Sequence, residues 1–221
     1  SVVAQVKSGV GPVSVAHIGQ MPAVILSFNL APGVCIGDAV NTVQEVAAEV
    51  LPAGVSTILT GSAKAFEEAR QGNSGQDGVT LVDFVHYTPS FGAPAAFLAA
   101  PVTVDGKIVA VIAGQVSITA LNDSMTSGGK WVAEGLGNSG EAYLVGPDST
   151  ARTDSRFLIE DKAGYLESLT KHGVAPGIVK SIDETGHSLL NQQIDTSSVR
   201  AALAGGTGQH IIKDYRGIEV M

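Results

Sequence analysis

The spacing of hydrophobic residues changes several times along the chain, and each change marks an element. Ala23, Val24, Ile25 and Leu26, then Phe28 and Leu30, form an apolar run that predicts a strand over 23–30, after a shorter one at 13–15. Ala31-Pro32-Gly33 ends it as a turn. From Gly37 the period becomes helical, with Ala39, Val40, Val43, Val46, Ala47 and Val50 recurring at three and four residues, the pattern of a helix with one buried face. Asp38 stands near its start, where a negative charge meets unpaired amides. Leu51-Pro52-Ala53-Gly54 stops the helix, and Val55, Thr57 and Leu59 alternate as a returning strand. Strand, helix and strand make a small βαβ unit.

A short helix is predicted over 62–70, with Ser62 as its candidate cap, and the polar stretch 71–78 reads as a boundary or an exposed loop. Beyond it the pattern is that of sheet. A strand over 79–87 breaks at Pro89-Ser90. Strands over 94–102 and 108–118 flank Asp105-Gly106, a two-residue hairpin signal. Helical turns are expected at 120–125, 160–170 and 174–182, and a helix at 197–204 with Ser197 near its cap and Gly205-Gly206 at its end. Residues 141–145 and 150–153 are expected to pair around Gly146-Pro147-Asp148, and a last hairpin turns at Arg216-Gly217. That hairpin reaches Met221 with no strand after it, so the final sheet is expected to continue beyond the chain. The fold class is α+β: antiparallel sheet with flanking helices, preceded by the small βαβ unit.

Composition narrows the function classes. Charged residues are 15% of the 221 and hydrophobic ones 44%, too apolar for a disordered chain. The net charge is −8. Three basic and six acidic groups lie at or before Asp77, ten and fifteen after it, so neither part carries a cationic block. Nucleic acid is thereby excluded as a partner, because phosphate binding needs local positive potential. No stretch reaches the roughly 20 apolar residues of a bilayer crossing; 91–102 is apolar but ends at Asp105 and Lys107. Any leader or anchor of the parent protein is expected to lie outside this sequence. Cys35 is the only cysteine, so no internal disulfide or thiolate metal cluster can form.

No enzyme constellation emerges, and no cofactor or metal is expected. His17, His86, His172, His187 and His210 show no HxxxH or HxH spacing. Gly205-Gly206-Thr207-Gly208 lacks the Lys-Ser or Lys-Thr of a P-loop. Residues 135–140 have G-x-G-x-x-G spacing, but a strand is expected after them where a dinucleotide site requires a helix. Cys35 reads as a small apolar filler.

Two stretches resemble known families. GPVSVAHIGQMPAVILSFNLAPGVCIGDAV from Gly11, continued by LPAGVSTILTGSAKAF to Phe66, resembles the periplasmic porter region of resistance-nodulation-division multidrug efflux pumps. In that family the block is a βαβ piece of a pump that cycles as a trimer. DFVHYTPSFGAPAAFLAAPV from Asp83, DGKIVAVIAGQV from Asp105, GLGNSGEAYLVGPDSTARTDSRF from Gly135 and ALAGGTGQHIIKDYRG from Ala202 resemble the Cache, or PAS-like, periplasmic sensor domains of chemoreceptors and cyclases. The layout implied is an efflux-like segment at 1–70, a partial first Cache unit at 79–134 and a partial second at 135–221, the pattern of a fragment or a chimera.

The resemblance to Cache domains implies a small-ligand pocket between sheet and loops. Its candidate residues are Asp83, to pair with an amine, with His86, Tyr87, Phe91 and Phe97 around it; Phe91 and Phe97 as core residues and Asp83 as a turn cap is the alternative. The Tyr-Arg-Tyr-Trp-type motif that holds a ligand carboxylate in the amino-acid-binding members is absent. Tyr143, Asp154, Ser155, Arg156 and Tyr215 are assigned to the second unit, with Asp154 and Arg156 as an ion pair or as ligand contacts. The function expected is non-enzymatic, extracytoplasmic ligand sensing. The alternatives are a periplasmic subdomain of an efflux transporter and a structural protein that self-associates through sheet edges at 91–118 or the last hairpin.

Overall fold

The computed structural model describes residues 16–18, 21–72 and 78–220. The strand expected at 13–15 and the middle of the polar stretch fall outside them. Backbone contacts divide the chain into two units, residues 1–34 and 35–221.

In the first unit β1 (Ala16–Ile18) pairs antiparallel with β2 (Met21–Ala23), Ile18 opposite Met21. The strand expected over 23–30 ends at Ala23. A run apolar on both faces needs strands or layers around it, and no described strand pairs with 24–30, whose Val24 and Leu26 are exposed. The turn forms as expected: Val34 N–H donates to Ala31 O (3.1 Å), and Gly33 takes φ +84 at the position that favours glycine.

The second unit opens with α1 (Ile36–Val50), which follows Cys35. Cys35 is exposed, not a filler. The helical period is present, yet only Val40 is buried; Val43, Val46 and Val50 remain in solvent. No strand forms at 55–59 either. Val55 N–H closes a turn onto Pro52 O (3.1 Å), so the βαβ unit lacks its return strand among the described residues. α2 (Gly61–Arg70) has Thr60, not Ser62, at its cap position. Gly61 is required there: its φ is +60, and a Cβ would lie 2.5 Å from the Tyr87 ring.

β3 (Thr80–His86), β4 (Pro94–Val104) and β5 (Lys107–Gln115) form an antiparallel sheet in the order β3-β4-β5. Asp105 and Gly106 both take positive φ (49 and 73), the two-residue turn whose twist matches the strands. β5 stops three residues short of expectation, because Ser117 caps α3 (Ile118–Thr126) by accepting from Ala120 N–H. Alternation of side chains sends Val82, Phe97 and Ala99 to one face, against Ala65 and Ala69 of α2. Phe84 and Ala96 go to the other, against Leu189. The helix before the expected boundary and the sheet after it therefore share one core.

Further on, the arms expected at 141–145 and 150–153 form only an isolated bridge, Val145 with Ala151; Thr150 bridges Gln193. α4 (Arg156–Glu160), α5 (Lys162–Lys171) and α6 (Pro176–Thr185) enclose Leu158, Tyr165, Leu169 and Ile182. Thr196, not Ser197, caps α7 (Ser197–Leu203), accepting from Val199 N–H. β6 (Ile212–Lys213) and β7 (Glu219–Val220) are the last hairpin. The architecture is α+β, and no helix among the described residues is long and apolar enough to cross a membrane.

Candidate functional site

Of the five residues assigned to a pocket, the structure brings Tyr87 and Phe97 together and gives Asp83, His86 and Phe91 other surroundings. Phe97 is 4% exposed and meets the Tyr87 ring edge-on at 5.0 Å between centroids. Phe91 follows the short 3-10 turn Thr88–Ser90 with φ +55 and its ring wholly in solvent. It is therefore not a core residue. His86 Nδ1 lies 3.0 Å from Gly92 O, holding the turn. Asp83 accepts from Phe84 N–H (2.7 Å) and from Arg152, whose Nε is 2.9 and 3.0 Å from the two carboxylate oxygens. Both faces of the sheet beside these residues are filled, by Ala65 and Ala69 on one side and Leu189 on the other, so the five do not surround a common hollow.

Arg152 is the more informative partner. It lies 69 positions from Asp83, is buried, and also meets Asp148 (3.0 Å) and Thr150 O (3.0 Å). Burial works against its charge, but Asp83 and Asp148 outweigh that and hold the guanidinium above its ordinary value. Gly146 makes room for it, since a Cβ there would lie within 2.1 Å of the guanidinium. Nothing in the local pattern of either residue signals this pairing.

A second polar cluster gathers residues that the sequence had grouped. Glu141 accepts from Ser155 Oγ (2.6 Å), Arg156 N–H (2.8 Å) and Tyr215 O–H (2.8 Å). Tyr143 packs edge-on against Tyr215 at 5.9 Å. Burial, then the negative charge of Glu141, raises the phenols of Tyr143, Tyr165 and Tyr215 above the ordinary tyrosine value. The sequence does not single out Glu141, because a lone acid in a strand-like stretch looks solvated until its three donors are placed.

Asp154 and Arg156 do not pair with each other. Asp154 receives Asn122 Nδ2 (2.8 Å), His187 Nδ1 (2.8 Å) and Ser188 N–H (2.9 Å). Arg156 donates to Gly137 O (3.0 Å) and Gly140 O (2.7 Å), reaches Glu160 (3.1 Å) and lies over the Trp131 ring at 4.8 Å. The glycine-rich 135–140 segment thus turns carbonyls inward onto a cation, the reverse of a phosphate cradle.

The described residues do hold an open groove of about 610 Å³ between α6, α7 and β6. Val174, Ala175 and Ile178 form its apolar wall, and Arg200, Lys213 and Asp195 its charged rim. Tyr215 joins its floor to the Glu141 cluster. None of the five residues first assigned to a pocket lines it.

The family model described as the AcrB/AcrD/AcrF family matches residues 1–120. The match runs past α1 and α2 and takes in the whole β3-β4-β5 sheet, well beyond the sixty or so residues whose efflux-type resemblance the sequence displayed. It supports the efflux-type resemblance and not the sensor-type one. It covers more than half of the chain, and the chain belongs to the AcrB/AcrD/AcrF family.

Proposed function

We propose that this chain acts as a non-enzymatic, extracytoplasmic subdomain of an efflux transporter, contributing surface to a larger assembly. Family membership supports the reading, and one structural observation carries it: the apolar stripe of α1 is bare. Val46 is 50% and Val50 65% exposed, with Val43 in line one turn earlier. A helix with this period is built to lie against something, and a contiguous exposed apolar patch of this kind marks a protein contact. Cys35, exposed at the start of α1, is the unique thiol on the helix that carries the stripe, eight residues before Val43.

The test is cross-linking from Cys35 to a co-expressed full-length transporter of the family in the periplasm. The wild-type chain is expected to form the adduct, and Val43→Asp/Val46→Asp to lose it while keeping its circular dichroism. Absence of any adduct with the folded wild type would overturn the reading.

A second reading, sensing of a small ligand, is favoured by the groove between α6 and α7, where the apolar wall of Val174, Ala175 and Ile178 meets a mostly polar and charged lining that can orient a polar ligand. It expects an amino-acid-sized ligand to raise the melting temperature of the wild type and not of Ala175→Trp, which fills the groove. A panel of amino acids that leaves the wild type unmoved would sink it.

A further inference from the structure

We propose that β5 is a self-pairing edge, joining two copies of this chain about a twofold axis at Ala113 into a continuous six-stranded sheet. The two edges of the sheet differ in kind. β3 carries the charge of Asp83, an irregularity between Val82 and Val85, and the Arg152 side chain bound beside it. These are the features that discourage another strand from docking. Among the described residues β5 has no such cover. No described strand pairs with its outer side, and every residue except the half-buried Val111 is exposed. Its only charge is Lys107, at the turn, and it contains no proline.

A second copy fits because the strand is complementary to itself. Its one irregularity falls beside the turn, between the Val102–Ala110 and Thr103–Ile108 pairs, which leaves residue 110 onward regular. Val116 N–H still donates to Ala96 O (2.8 Å), so the regular stretch runs to 116. Its centre is Ala113. Antiparallel pairing about that point sets Ala110 against Val116, Val111 against Gln115 and Ile112 against Gly114. Ala113 meets its own copy. Large side chains face small ones in two of these pairs, and no charge meets a charge.

Charge placed at one cross-strand pair reads out both the occupant and the register. Ile112 is 69% exposed. Gly114 has an ordinary φ and no atom within 4 Å of an added Cβ, so both positions accept substitution. In sedimentation equilibrium at tens of micromolar the wild type is expected to be a dimer. Ile112→Lys/Gly114→Lys, with like charges opposed twice across the axis, is expected to weaken the dimer by about tenfold or more. Ile112→Lys/Gly114→Glu, with opposite charges in the same places, is expected to restore it. Circular dichroism confirms that each variant is folded. A monomeric wild type overturns the proposal, whether β5 is then bare or covered by another part of the chain. Equal behaviour of the two double variants overturns it as well.

Discussion

Asp154→Ala is expected to cost about 3–5 kcal/mol, lowering the urea midpoint by roughly 2 M at an ordinary denaturant slope. The carboxylate is buried and works as a hub. Asn122 Nδ2 and His187 Nδ1 each lie 2.8 Å from Oδ2, while Ser188 N–H (2.9 Å) and Leu189 N–H (3.3 Å) converge on Oδ1. Asn122 also returns a bond, its Oδ1 accepting from Asp154 N–H (2.9 Å). One side chain thereby ties α3 to the segment that delivers Leu189 into the sheet core. Alanine leaves two buried amides without an acceptor, and each such loss costs about 1–3 kcal/mol. Asp154→Asn keeps one acceptor oxygen for Ser188 but turns an amide toward Asn122 and His187, so it is expected to fall between alanine and wild type. Equal midpoints for wild type and Asp154→Ala would show that the hub carries no stability.

The elements that could be read from sequence are those whose signal is local. The β4–β5 hairpin is set by two apolar stretches around Asp105-Gly106, a pair whose backbone preference alone selects the turn. The helix after Gly37 shows in its period, and the Ala31-Pro32-Gly33 turn in its chemistry. Strands at 23–30 and 55–59 do not form as expected, because a strand is completed by its neighbour and the alternation of side chains does not say whether one is present. The same limit governs the sites. Ser155, Tyr143 and Tyr215 could be grouped from a resemblance, yet their common partner Glu141 is identified only when residues 14 and 74 positions away are brought to it. Phe91 and Phe97 are alike in sequence, but a left-handed backbone puts the first in solvent and strand alternation puts the second in the core. In the sequence Asp83 reads as a charge in search of an amine. Its cation proved to be Arg152 of the same chain.

Alkaline pH is expected to unfold the protein steeply, and the buried tyrosines set the window. Burial, followed by the charge of Glu141, raises the phenols of Tyr165 and Tyr215 in the folded state. Between the ordinary tyrosine value near 10 and those raised values, only the unfolded chain releases the protons. A raised folded value means that the contribution is complete below about pH 10 and is lost as pH climbs toward the folded value. Each tyrosine then removes up to about 1.4 kcal/mol per pH unit. Between pH 10 and 11, where the unfolded phenol is only part ionised at the start, it removes about 1 kcal/mol, so the pair removes roughly 2 kcal/mol. That is a large share of the 5–15 kcal/mol typical of a folded domain. Tyr143 shifts in the same direction and adds to the trend. Urea midpoints from pH 8 to 11 measure the slope, and the ultraviolet absorbance of phenolate reports whether ionisation waits for unfolding. Tyr215→Phe separates this cause from general repulsion in an acidic chain. It gives up the bonds to Glu141 and Ser155 (both 2.8 Å), so about 1 kcal/mol is lost at neutral pH. Its alkaline slope should nevertheless be shallower by one proton, because phenylalanine has none to release. A slope unchanged in Tyr215→Phe would mean that Tyr215 is not held neutral by the fold.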